Sequence, residues 1–211
     1  WGRAAPEGTI ARPMGLFTAV VVSLRPRQWV KNFFVFAGVI FSHQLFTPQA
    51  WRAAAAFAIF CALSGAIYLL NDVADAEKDR LHPDKRRRPV ASGALPRGAA
   101  LAIGLALLLV SLVLSFGLGA RFGLVALAYG VLLTAYSVRL KHLVILDVLT
   151  VALGFVLRAV AGAVAVDADI SGWLLICTVL IALFLALGKR RHEYLTLHGD
   201  AASHRPILAE Y

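Results

Sequence analysis

The sequence predicts an all-α fold, a polytopic transmembrane helix bundle, and three observations carry that expectation. Of the 211 residues, 60% are hydrophobic, with a mean hydropathy of +0.76. Apolar runs of 15 to 24 residues with few or no charges recur along nearly the whole chain. The formal charge is +9, and most of the bases fall between those runs. A water-soluble domain has no reason to repeat such runs. Cys61 and Cys177 each sit inside one, which leaves neither a disulfide framework nor a metal-ligand spacing.

Six spans follow in order: Val30 to Phe46, Trp51 to Leu70, Ala99 to Leu118, Phe122 to Ser137, Leu143 to Val166 and Ile170 to Leu187. The fourth is short against the roughly 20 residues a bilayer asks for, so little tilt or a locally thin membrane is expected there. With the N-terminus inside, 18 of the 21 Lys and Arg residues are cytoplasmic; Arg52 and Arg121 lie outside, and Arg158 lies within a span. One transmembrane domain over 1–211 is therefore expected, in a bacterial inner membrane. Segments 1–28, 71–98 and 188–211 would be cytoplasmic. The chain starts at Trp1 with no secretory signal pattern, which predicts a trimmed N-terminus.

The stretch "YLLNDVADAEKDRLHPDKRRRPVASG", Tyr68 to Gly93, closes the second span. Asp72, Asp75 and Asp79 are spaced to share one face if that helix continues. Such a face repels itself, and acids sit on the unfavourable end of the helix dipole. Two arrangements relieve the strain. Mg²⁺ prefers carboxylate oxygens and completes its shell with phosphate, with Asn71 adding an amide oxygen. Alternatively the acids pair with Lys78, Arg80 and the run Lys85 to Arg88 as a solvated salt-bridge face. The metal and diphosphate arrangement is favoured: acid for the metal, base for what the metal brings.

Asn71-Asp72-x-x-Asp75-x-x-x-Asp79 resembles the first aspartate-rich motif of the UbiA superfamily of intramembrane prenyltransferases. "RPRQWVKN" (Arg25 to Asn32) and "YSVRLKHLVILDV" (Tyr136 to Val148) resemble segments of one branch, the decaprenyl-phosphate phosphoribosyltransferases. The resemblance runs from about Arg25 to Glu193. It implies a helical bundle, Mg²⁺, and transfer of 5-phosphoribosyl from phosphoribosyl diphosphate to polyprenyl phosphate for cell-wall arabinan. Members usually have about nine spans, so six predict a chain truncated at its C-terminus.

Aromatic prenyltransferases of the superfamily commonly carry a second motif, D-x-x-x-D, after span six. Here that loop reads "GKRRHEYLTLHGD", with Lys189, Arg190 and Arg191 where acids would be expected. Bases suit a donor carrying a further phosphate, as phosphoribosyl diphosphate does, although orientation alone also accounts for them. Under the resemblance, Asp72, Asp75 and Asn71 take the magnesium–diphosphate end. Asp79 is a further ligand or a partner for donor hydroxyls.

Arg27 and Lys31, one helical turn apart, are phosphate candidates, as are Arg88, the group Tyr136, Arg139 and Lys141, and the group Lys189, Arg190 and Arg191. Asp147 is a site candidate near the cytoplasmic mouth. Arg158, 11 residues on, either serves a site or snorkels to the outer surface. "SGA" (Ser64 to Ala66) and "AGA" (Ala161 to Ala163) are expected to allow close helix packing. Phe33, Phe34 and Phe36 could line a lipid groove, with packing or lipid-facing positions the favoured expectation. Partners expected are the two substrates and membrane lipid, with no nucleic acid and with a homo-oligomer allowed. Three other readings stay open. One is an aromatic prenyltransferase. Another is a CDP-alcohol phosphotransferase, whose D-G-x-x-A-R signature is missing. The last is a transporter or scaffold, for which charge at mid-membrane and an internal repeat are not seen.

Overall fold

A computed structural model describes residues 14–140 and 144–196, and the regular structure among them is helical throughout. Four helices are long and apolar enough to cross a membrane: α3 (Gln49–Ala74), α6 (Arg97–Leu118), α7 (Ala120–Val138) and α8 (Val144–Ala165), the last over Leu146–Ala165. These match the second to fifth sequence runs. A shorter apolar stretch, Gly172–Gly188, belongs to α9 (Gly172–Thr196) and matches the sixth. Short helices α1 (Leu16–Ser23), α2 (Ala37–Phe41), α4 (Ala76–Leu81) and α5 (Pro89–Ser92) complete the set.

α3 and α8 form the middle of the bundle. In each, 61% of the spanning window is buried, against 22% in α6 and 28% in α7, which turn Leu105, Leu109, Val113 and Leu127 outward. Apolar helices gain little from burying apolar area inside lipid, so close approach has to come from small residues. α3 supplies Ala53, Ala56, Ser64, Gly65 and Ala66, and around them Phe60 packs against Phe122 and Tyr129. On α6, Ser111 and Ser115 return their hydroxyls to the carbonyls four residues back, at 2.6 and 2.7 Å, leaving no hydroxyl unsatisfied in an apolar surrounding.

The sequence run read as a first span differs. It is an eleven-residue 3-10 segment, Pro26–Phe36, followed by the five residues of α2. A 3-10 run this long is uncommon and signals an imposed conformation. Packing imposes it: a Cβ on Gly162 would collide with the Val35 carbonyl, and a Cβ on Gly38 with the backbone of Ala163. The segment therefore lies backbone to backbone against α8. "AGA" (161–163) does act in close packing, and this long-range contact is invisible in local sequence. At about 2.0 Å per residue, the 3-10 run and α2 still rise about 30 Å together, the thickness of a hydrocarbon core.

Candidate active site

Changing the helical period changes which side chains share a face. In a 3-10 helix residues three apart eclipse, so Gln28, Lys31 and Phe34 form one row, preceded by Arg25 at the cap of the segment. That row lines a cavity of about 630 Å³. Tyr68 and Asn71 of α3, Tyr136 and Ser137 of α7, and Thr150, Gly154 and Arg158 of α8 also face it. Its apolar walls come from Phe34, Ile67, Leu133, Val151, Phe155 and Leu185. Arg27, four residues before Lys31, shares a face with it only in an α-helix; here Arg27 is exposed and outside the cavity wall. The sequence expectation that Arg27 and Lys31 point the same way is corrected to Arg25 and Lys31.

Arg25 takes a left-handed backbone conformation, φ 54°, rare for a residue with a side chain. Strain of this kind persists only where surroundings enforce it. Here its Nη2 donates to Asp72 Oδ1 at 2.5 Å while the guanidinium stacks over Tyr68, 5.0 Å from the ring centre.

The acidic stretch crosses a one-residue break between two helices. α3 ends at Ala74, Asp75 sits in the break, and α4 starts at Ala76. The backbone nonetheless stays in register, with the Asp75 N–H donating to the Asn71 carbonyl and the Asp79 N–H to that of Asp75, both at 2.9 Å. Asp72 and Asp79, 2% and 4% exposed, point inward, and Asp75 is half-buried. Nη1 of Arg88 joins the two buried acids, 3.1 Å from Asp72 Oδ1 and 2.6 Å from Asp79 Oδ2. The solvated salt-bridge face is therefore corrected: the pairing is buried, and Arg88 and Arg25 make it. Arg80 turns to Glu77 and the Ala91 carbonyl instead.

On the far side of the mouth the Tyr136 hydroxyl donates to Asp147 Oδ1 at 2.8 Å, bringing together two residues the sequence singled out. Arg139 is exposed and outside the cavity wall, and Arg191 is exposed on α9. Lys141 and the side chains of Lys189 and Arg190 lie outside the described residues. Sequence reasoning did not single out Arg25 or Tyr68 as site residues. Their signals were weak ones: a base just before the apolar run, and a tyrosine one turn before Asp72.

Residues 32–209 match the UbiA prenyltransferase family, most of the chain. The chain belongs to that family. Among curated relatives of this UbiA chain, the decaprenyl-phosphate phosphoribosyltransferase of Mycolicibacterium smegmatis is 36% identical over 210 residues, 97% of this chain and 66% of that protein. The enzyme of the same name from Corynebacterium glutamicum is 39% identical over 204 residues, 94% of this chain and 61% of that protein. The chain thus spans a little under two thirds of these relatives. The structure of a UbiA homolog from Archaeoglobus fulgidus bound to GPP and Mg²⁺ aligns with a TM-score of 0.71 at 21% identity, covering 88% of this chain and 66% of that one. At that identity the likeness concerns the fold, and the all-helical bundle is of UbiA type.

Whether the acids suit Mg²⁺ can be judged from their surroundings. Among the described residues no three His, Cys, Asp or Glu side chains are gathered closely enough to hold a metal. Yet two buried carboxylate oxygens converge on one cationic nitrogen, and hard oxygens needing positive charge are the donors Mg²⁺ prefers. The oxygen donors are of the kind the ion takes, and in this structure Arg88 stands between them.

Proposed function

We propose that the full-length protein transfers the 5-phosphoribosyl group of phosphoribosyl diphosphate to a polyprenyl phosphate, with release of diphosphate. The observation that carries this is the charge of the cavity wall: Arg25, Lys31 and Arg158 line it, and no described carboxylate does. Such a wall suits two anions that would otherwise repel each other, and its apolar side suits a lipid chain. The name and sequence identity of the curated relatives support a phosphoribosyl group as what is moved and a polyprenyl phosphate as the acceptor.

The acceptor phosphate oxygen is already anionic, so it attacks the anomeric carbon without losing a proton. A new C–O bond forms as the C–O bond to diphosphate breaks, and the electron pair leaves with the diphosphate. A strong general base is not required. Asp72, Asp75 and Asp79, with Asn71, would hold Mg²⁺, which when bound neutralises charge on the departing diphosphate. Arg25 and Lys31 bind and orient phosphates at the mouth, where fixed cations need no reorganisation as charge develops. The hydrogen bond to Asp147 fixes the Tyr136 ring against the opposite wall. The loops at this end face the cytoplasm of a bacterial inner membrane, the orientation the distribution of bases supports.

The test is diphosphate release by purified full-length protein in detergent with Mg²⁺. One reaction holds phosphoribosyl diphosphate and polyprenyl phosphate; the other holds polyprenyl diphosphate and 4-hydroxybenzoate. Release in the first alone, abolished by Asp72→Ala with Asp75→Ala, is expected. Release in the second alone would make the protein an aromatic prenyltransferase.

A further inference from the structure

Arg158 ends the cavity away from the mouth. On α8 the lining residues run Thr150, Val151, Gly154, Phe155, Arg158, one face of the helix over about 12 Å. Arg158 is 4% exposed, so it does not snorkel to the outer surface. Its Nε donates to Asn32 Oδ1 at 2.8 Å, Nη1 to the Gly154 carbonyl at 2.9 Å and Nη2 to the Tyr129 hydroxyl at 2.5 Å. The guanidinium also lies over the rings of Tyr129 and Phe155, at 4.8 and 5.4 Å. All these partners are neutral. Among the described residues no carboxylate forms a salt bridge with Arg158, whereas Arg25 and Arg88 are both ion-paired.

A buried charge without a counter-ion inside a membrane bundle is costly. Neutral acceptors fix the direction of the guanidinium without cancelling its charge, and three bonds use three of its five N–H donors. A purely structural tie between the 3-10 segment, α7 and α8 needs no charge.

We propose that Arg158 is an anion-binding residue at the inner end of the cavity that takes a phosphate monoester, with Asn32 and Tyr129 as positioning residues for its guanidinium. A planar fork held rigid matches two phosphate oxygens at once. Two sources share that chemistry, the 5-phosphate of the donor and the phosphate of the lipid acceptor. The choice of these ligands rests on the phosphoribosyl-transfer reading; the uncancelled charge does not.

The experiment measures equilibrium binding of each substrate, and of the same substrate lacking that phosphate, to full-length wild type, Arg158→Gln, Arg158→Lys and Asn32→Ala. Arg158→Gln is expected to weaken one phosphorylated ligand about 30-fold or more while leaving its dephosphorylated counterpart unchanged, and the ligand affected names the source. Arg158→Lys recovers part of the loss, and Asn32→Ala, which keeps the charge, loses less. Equal losses for phosphorylated and dephosphorylated ligands, or a full loss in Asn32→Ala, would overturn the proposal. Should Arg158→Gln fail to fold, Arg158→Lys decides: selective weakening of one phosphorylated ligand supports an anion site, and unselective or absent weakening refutes it. Thermal stabilisation by inorganic phosphate separates the two levels of inference. Wild type that turns over no phosphoribosyl diphosphate, yet is stabilised by phosphate in a way an Arg158 variant is not, keeps the anion site and removes the reaction. Equal stabilisation of wild type and variant removes the site.

Discussion

Nη1 of Arg88 lies 2.6 Å from Oδ2 of Asp79, and the same nitrogen bridges to Asp72. Remove the cation and, among the described residues, two buried carboxylates remain close together with Arg25 as the ion-pair partner left to Asp72. Arg88→Gln is expected to destabilise the protein by about 2–3 kcal/mol, the range for breaking charged hydrogen bonds in a largely buried pair. Thermal or chemical unfolding in detergent measures it. Added Mg²⁺ should return more stability to this variant than to wild type, because the ion supplies the charge Arg88 no longer does. Unfolding unchanged from wild type would mean Arg88 does not hold the acids together.

The same exchange predicts how activity responds to metal. Chelation should stop diphosphate release, and Asp72→Ala or Asp75→Ala alone should lower kcat about 100-fold or more, the scale of losing one fixed stabiliser of transition-state charge. Steady-state rates over a Mg²⁺ titration check this. A rate indifferent to chelator would leave the acids a purely structural, Arg-paired role.

Spans α3, α6, α7 and α8 were legible because long apolar runs between charged connections have one stable solution in a bilayer. The acidic motif was legible from spacing, though the break at Asp75 was not, since three carboxylates at helical intervals look the same with or without an interruption. The first run is apolar like the others but is not an ordinary α-helical span. Its 3-10 form depends on Gly162 and Gly38 letting two backbones touch, a contact more than 120 residues apart in sequence. Arg25 was hidden for a related reason, as its ion pair bridges 47 residues to Asp72. Arg158 was visible as a charge in a span, but sequence could not decide between the lipid surface and the cavity. Its bonds to Asn32 and Tyr129 decide it.

The period of the 3-10 segment can be read in kinetics. Arg25→Ala should raise KM for the diphosphate donor about tenfold to a hundredfold, as for loss of charge-assisted hydrogen bonds. Arg27→Ala should change it by no more than about twofold, as for an exposed surface residue. An α-helix would instead place Arg27 beside Lys31 and reverse the ranking. Paired measurements on the two variants therefore test the backbone as well as the site.

Gly162, a residue without a side chain, bears on the same segment. Gly162 faces the Val35 carbonyl so closely that any Cβ must push the 3-10 segment away from α8. Overpacking of this kind costs about 1–3 kcal/mol, so Gly162→Ala should unfold at lower temperature than wild type. The displacement also moves Lys31 and Phe34, which sit on that segment and line the cavity, so KM for the donor should rise although no ligand-binding group has been removed. A neighbouring control, Gly172→Ala, meets nothing within 4 Å of its added methyl and should be close to neutral. If Gly162→Ala matched that control in both stability and KM, the close backbone contact would not exist in solution, and the 3-10 form of the segment would lose its physical cause.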